Sequence, residues 1–190
     1  MFDLIVEGFG SLRFGCTLAL LVPGIGVALA VGRHAPLAAA AFITSAGFVG
    51  WARFADLWFA PPETVGLIAA GAAVAASPFT RGAAMTVVGA VTAGLVAGWL
   101  WVPCVGEHLS QPLNDAAEDP IGNLAPIFVF VIGTGIPLIV LAALPAAWPA
   151  VAKLRDHRAA RGVGIALGVL VGLSIATGWY SEFIIHFAPA

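Results

Sequence analysis

Apolar residues along this chain come in long runs, and the polar residues gather between them. A helix that crosses a membrane needs about 20 mostly apolar residues. Six segments meet that requirement. They are the stretch around CTLALLVPGIGVALAVG ending at Gly32, then about Pro36 to Leu57, Thr64 to Phe79, Ala83 to Val105, Leu124 to Leu144, and Gly162 to Tyr180. The third is short and rich in alanine. The opening MFDLIVEGFGSLRF carries Asp3 and Glu7 where a cleaved signal peptide has its positive region, so it is expected in the mature protein.

Composition strengthens this pattern. Of 190 residues, 61% are hydrophobic and 9% charged, and the mean hydropathy is +1.01. Soluble domains are about half apolar and a quarter charged, so a water-soluble core of this size could not hide the apolar surface. The expected class is an all-α membrane protein, one transmembrane domain over 1–190. A net charge of −2 with no basic arm makes nucleic acid an unsuitable partner. Two cysteines are too few for a disulfide scaffold but enough for one redox pair.

Charge placement sets an orientation. Arg33, Arg81, and the group Lys153, Arg155, Arg158 and Arg161 fall in loops after the first, third and fifth spans. Lys and Arg mark the cytoplasmic side. The loop between the fourth and fifth spans holds Glu107, Asp115, Glu118 and Asp119 and no Lys or Arg, which places it outside, with both termini. Arg53 and Asp56, at the outer end of the second span, are spaced for an i,i+3 pair. In the sixth span Gly164, Gly168 and Gly172 form a ladder of small residues, read here as a packing surface for another helix.

The chain divides near Arg81 into halves of three spans, about 1–80 and 81–190. Each half's first span carries one cysteine, Cys16 or Cys104, and one interrupting proline, Pro23 or Pro103. Three spans per half make the halves oppositely oriented, the pattern of an inverted repeat with broken helices at matching places. Irregular backbone at such breaks is tolerated where it lies in protein or lines a cavity. The first span then extends back through FDLIVEGFGSLRF and the fourth forward through VGEHLSQPLNDAA, setting each cysteine near the middle of a long helix kinked at proline.

These elements resemble the CcdA-type cytochrome c biogenesis proteins, relatives of the membrane domain of the DsbD thiol-disulfide interchange proteins. WVPCVG at 101–106 resembles their Trp-x-Pro-Cys-x-Gly element, and CTLALLVPG at 16–24 their first-span Cys…Pro-Gly element. VIGTGIPLIVLAAL at 131–144 is similar to their Gly-x-Gly-x-Pro pattern, through Gly133, Gly135 and Pro137. GVGIALGVLVGLSIATG is similar to their sixth span. Departures are Gly15 in place of a proline, a first-span proline about one residue further from its cysteine, and Glu107–His108 in place of a proline and an apolar residue. The resemblance implies a multi-pass protein of the bacterial inner membrane without a bound cofactor. A cytoplasmic thioredoxin would reduce the cysteine pair. The pair would then reduce an extracytoplasmic thioredoxin-like protein that serves cytochrome c or other protein maturation.

Thiol–disulfide exchange needs an attacking thiolate and a second thiol within disulfide reach, here Cys16 and Cys104. Arg13, three residues before Cys16, is spaced to favour its thiolate or else to anchor the helix at the interface. Glu107 and His108 are candidates for proton transfer beside Cys104, or solvated residues at the outer rim. Pro23 with Gly24, Pro103, and the Gly133–Gly135–Pro137 set are candidate kinks or hinges. Two other functions fit the same residues. One is a small-solute or soft-metal transporter using Cys16, Cys104 and His108. The other is a structural subunit of a membrane complex, in which both cysteines would be inert.

Overall fold

The computed structural model of the chain describes residues 2–13, 15–54, 64–100, 119–148, 150, 153, 158–180 and 182, with side chains at all of these except 13, 15–20, 53, 54, 146 and 147. Among the described residues the regular structure is entirely helical. In hydrocarbon a backbone has no water to bond, and a helix satisfies its own N–H and C=O groups.

Eight α-helices follow in order: α1 Phe2–Gly10, α2 Gly15–Val31, α3 Ala35–Phe54, α4 Thr64–Ala76, α5 Ala83–Leu100, α6 Leu124–Thr134, α7 Ile136–Ala147 and α8 Arg158–Ala176. Short 3-10 turns at Ser11–Arg13, Gly32–His34 and Ser77–Phe79 join α1 to α2, join α2 to α3, and close α4. Gly32 takes a left-handed φ of 56°, which lets the chain reverse between α2 and α3.

Among the described residues three segments are long and apolar enough to cross a membrane: Gly32–Ala52, Ala83–Leu100 and Arg158–Ala176. A fourth results if α6 and α7 count as one span, bent by 57°. Leu21–Ala30 and Thr64–Phe79 are shorter apolar helices.

Two expectations change here. Arg158 and Arg161 do not sit in a loop; they form the first turn of α8, which starts four residues before the apolar run. Arginine is a good helix former, and its long stem lets a charged head reach water from a helix end. The first span is divided as well. Its outer part is a separate helix, α1, and α2 continues unbroken through Pro23. The sharp bend lies in the fifth span, at Gly135, where Pro137 removes the donor that the Gly133 carbonyl would otherwise meet.

Glycines set how the helices cross. Gly94 and Gly98 of α5 press against the Phe42 and Ala46 carbonyls of α3, so these two helices run parallel in an extensive pairing. Added Cβ atoms would collide with those carbonyls. On α8, Gly164 meets Gly26 of α2, Gly168 meets Pro78, and Gly172 meets Gly71 of α4. The small-residue ladder is thus a packing surface, as expected, shared among three partners. Rising numbers on α8 meet falling numbers on α2 and on α4, so α8 is antiparallel to both. Likewise α4 is antiparallel to α5, through Gly66–Trp99 and Gly89–Ser77, and α3 to α6–α7, through Gly47–Phe128 and Gly135–Ile43.

These directions bring Arg33, Arg81, Lys153, Arg158 and Arg161 to one end of the bundle and Asp119 and Glu182 to the other. The main core gathers Val27, Phe42, Ile127, Phe130 and Leu138 among alanines of α3 and α5. A second cluster joins Ala70, Val74, Ile175 and Tyr180, with Trp99 against it.

Candidate functional site

Cys16 lies in the first turn of α2 by its backbone, and Arg13 ends the 3-10 turn before it. Their side chains are outside the described residues, as are Pro103, Cys104, Glu107, His108, the proposed metal set Cys16–Cys104–His108 and the Arg53–Asp56 pair. Among the described residues no group of three His, Cys, Asp or Glu side chains is placed to hold a metal ion.

The other hinge candidates are described, and Gly24 lies against the residue that follows Pro137. Pro23 is fully buried. Beside it, a Cβ on Gly24 would stand 2.9 Å from the Leu138 side chain and 3.0 Å from the Phe42 ring. Leu138 follows Pro137, so the Pro-Gly step of α2 rests on the first turn of α7, with Phe42 of α3 completing the contact. All three side chains are core residues; Leu138 is 0% and Phe42 2% exposed. The Pro23–Gly24 step and the first turn of α7 are therefore in direct contact, seven residues along α2 from Cys16.

The bend itself is held from two sides. A Cβ on Gly133 would overlap the Ile5 carbonyl of α1, and one on Gly135 would stand 2.6 Å from the Ile43 side chain of α3. Between the glycines, Thr134 is buried and donates its Oγ1 hydrogen to the Gly8 carbonyl at 3.3 Å. Side chains no larger than these allow α1 to lie across the break. The Gly-x-Gly-x-Pro pattern was visible in the sequence; the role of the threonine inside it was not, because a hydroxyl within an apolar run carries no signal of its partner.

Thr86 was also missed. It sits in the first turn of α5, on the buried stripe that continues through Ala90, Ala93 and Ala97. Its Oγ1 is buried with no hydrogen-bond partner among the described residues. Other helical hydroxyls here bond back to carbonyls three or four residues earlier, as Ser45 does to Ala41 and Phe42 at 2.8 and 3.0 Å, and Thr92 to Val88 at 2.8 Å. The Thr at i with Gly89 and Ala90 at i+3 and i+4 was the available signal, since small residues at that spacing mark a face meant for close packing.

At the acidic end, Trp51 of α3 donates its indole N–H to the Pro120 carbonyl at 2.7 Å, and Phe48 leans on the same ring. Asp119 caps the turn that follows, accepting the Gly122 N–H at 3.0 Å. This fixes the entry to α6 against the end of α3.

The fold defines a class: an all-helical chain whose three to four spanning-length apolar helices are those of an integral membrane protein. Beyond the class, no family model, curated protein or solved structure matches the chain.

Proposed function

We propose that this chain is a transmembrane thiol–disulfide relay of the CcdA type, with six spans arranged as two inverted repeats, in a bacterial inner membrane. Reducing equivalents pass from cytoplasmic thioredoxin, through Cys16 and Cys104, to an extracytoplasmic thioredoxin-like acceptor used in cytochrome c or other protein maturation. A thioredoxin thiolate attacks one sulfur of the Cys16–Cys104 disulfide and frees the other as a thiolate. The second thioredoxin thiol then resolves the mixed disulfide, leaving two thiols on this chain and a disulfide on thioredoxin. The same two steps run outward against the acceptor's disulfide, so each cycle moves two electrons and two protons.

The observation that carries the reading is the pairing of the helices. Exchange the first half's spans for those of the second: α1–α2 for α5, α3 for α6–α7, α4 for α8. The α3–α5 contact then becomes the α1–α6 contact, and the α2–α8 contact becomes the α4–α5 contact; all four occur. The α4–α8 contact maps onto itself, with Gly71 on the Gly172 carbonyl and Gly172 on the Gly71 carbonyl. The alternating helix directions and the basic end of the bundle fit six spans with cytoplasmic loops after α2, α4 and α7. In a repeat of the proposed kind the two cysteines would occupy corresponding spans, one in each half.

The test is the thiol state of the purified chain. Mass-shifting maleimide is applied with and without prior reduction by thioredoxin. Two thiols that appear together only after reduction support the relay. Two thiols that stay free under oxidant and ignore thioredoxin overturn it.

A further inference from the structure

Alongside the bend in the fifth span, α3 and α6–α7 enclose a groove of about 350 Å³. Its walls include Pro36, Ala40 and Thr44 on one side and Ile132, Ile139 and Ala143 on the other. Five of these six are apolar, and all six are exposed along the open side. Elsewhere the bundle presents projecting apolar side chains to its surroundings, such as Leu170 and Leu173 of α8. Here the surface is concave.

The groove has a definite length and a definite end. From Pro36 to Thr44 is about 12 Å along a helix, close to the roughly 15 Å that one leaflet contributes to a hydrocarbon core. These residues occupy the first half of the spanning segment Gly32–Ala52, which begins at the basic end of the bundle. The groove's inner end lies near mid-span at Thr44 and Ile132, just past the contact of Gly135 with Ile43. At the other end it runs out one turn beyond Arg33, which is exposed and has its Nε 3.4 Å from His34 Nε2. Arg81, Lys153, Arg158 and Arg161 share that end, and Trp148 stands 64% exposed just past α7, as tryptophans do at membrane interfaces.

We propose that this groove binds one acyl chain of an anionic phospholipid from the leaflet at the basic end, with the lipid phosphate at the Arg33 guanidinium. The occupant follows from three properties acting together. An outward apolar groove in a spanning helix faces hydrocarbon. One leaflet of length suits a single chain and excludes a spanning helix. An arginine where the headgroup lies supplies a planar fork for phosphate, and the surrounding cations favour a net negative lipid over a zwitterionic one. The site is independent of the cysteines and stands whether or not the relay does.

The test uses the full chain in phosphatidylcholine nanodiscs doped with phosphatidylglycerol that carries a photoreactive diazirine on one acyl chain, and a matched phosphatidylcholine probe. Adducts of the phosphatidylglycerol probe are expected to concentrate on peptides holding Ala40–Thr44 and Ile139–Ala143, above those holding Leu170–Leu173. The preference over phosphatidylcholine is expected to be about fivefold, the factor matching ~1 kcal/mol for one arginine near a lipid surface. Ala40→Trp and, separately, Ala143→Trp fill the groove and should lower its labelling to the Leu170–Leu173 level. Arg33→Gln should abolish the headgroup preference. Even labelling of groove and α8 would mean boundary lipid only and overturn the proposal. So would equal labelling by the two probes, or folded tryptophan variants that label as the parent does. If neither tryptophan variant folds, Arg33→Gln decides alone, because its exposed side chain is not needed for packing.

Discussion

Gly71 of α4 and Gly172 of α8 each stand where a Cβ would strike the other's carbonyl oxygen. The contact is reciprocal, extends to Ala75 and Ala176, and leaves no room for a side chain on either helix. Contacts of this kind replace the hydrophobic effect in a bilayer, where apolar side chains gain nothing by leaving lipid and close backbone packing holds helices together.

Gly71→Val and Gly172→Val should each destabilise the bundle by about 1–3 kcal/mol, the usual cost of overpacking. Gly162→Ala on the same α8 is the control, since a Cβ there meets nothing within 4 Å. It should instead stabilise slightly, through the better helix propensity of alanine. Denaturant unfolding in detergent micelles, followed by circular dichroism, separates the two directions.

Thr86→Val keeps the shape of the side chain and removes a hydroxyl that has no partner. A buried polar group left unsatisfied costs roughly 1–3 kcal/mol, so the variant should be more stable than the parent by about 1 kcal/mol. A loss of stability on the same unfolding assay would mean that the hydroxyl has a partner after all.

Trp51→Phe keeps an aromatic ring beside Phe48 but removes the hydrogen bond to Pro120. A loss of about 1 kcal/mol is expected. Faster proteolytic cleavage between residues 101 and 118 should accompany it. Unchanged cleavage would show that Trp51 has no part in holding that segment.

For the relay, single substitutions separate the roles of the two sulfurs. Cys16→Ser and Cys104→Ser should each abolish electron transfer. Only the variant that keeps the sulfur attacked by thioredoxin should trap a mixed disulfide with a thioredoxin lacking its resolving cysteine. Non-reducing electrophoresis reads the adduct, and a trapped adduct in neither variant would exclude exchange with that partner.

Helix identity was legible in the sequence because runs such as AAMTVVGAVTAGLVAGWL leave a bilayer-embedded backbone no other way to satisfy itself. The glycine ladder of α8 was legible for the same reason that it packs. The fifth-span break was visible as Gly133, Gly135 and Pro137, but its 57° angle depends on α1 and Ile43 filling the space around it. Pro23 lies inside α2 and does not mark a helix end, and its neighbour Gly24 packs in the core against Phe42 and Leu138. Arg158 and Arg161 read as loop residues because hydropathy ends where charge begins, whereas a helix ends where its hydrogen bonds do. The unpaired Thr86 and the α3–α7 groove belong to tertiary packing, and no local pattern encodes them.

The Trp51–Pro120 bond bears on the segment that carries Cys104. Leu100 ends a helix whose Gly98 meets Ala46 of α3, and Pro120 is hydrogen-bonded to Trp51 at that same end of α3. The residues that flank 101–118 are thus both posted on one end of one helix. The entropy of bringing two such posts together is lost when the bundle folds. A change that loosens either post, at Gly98–Ala46 or at Trp51–Pro120, therefore alters the separation that residues 101–118 must span.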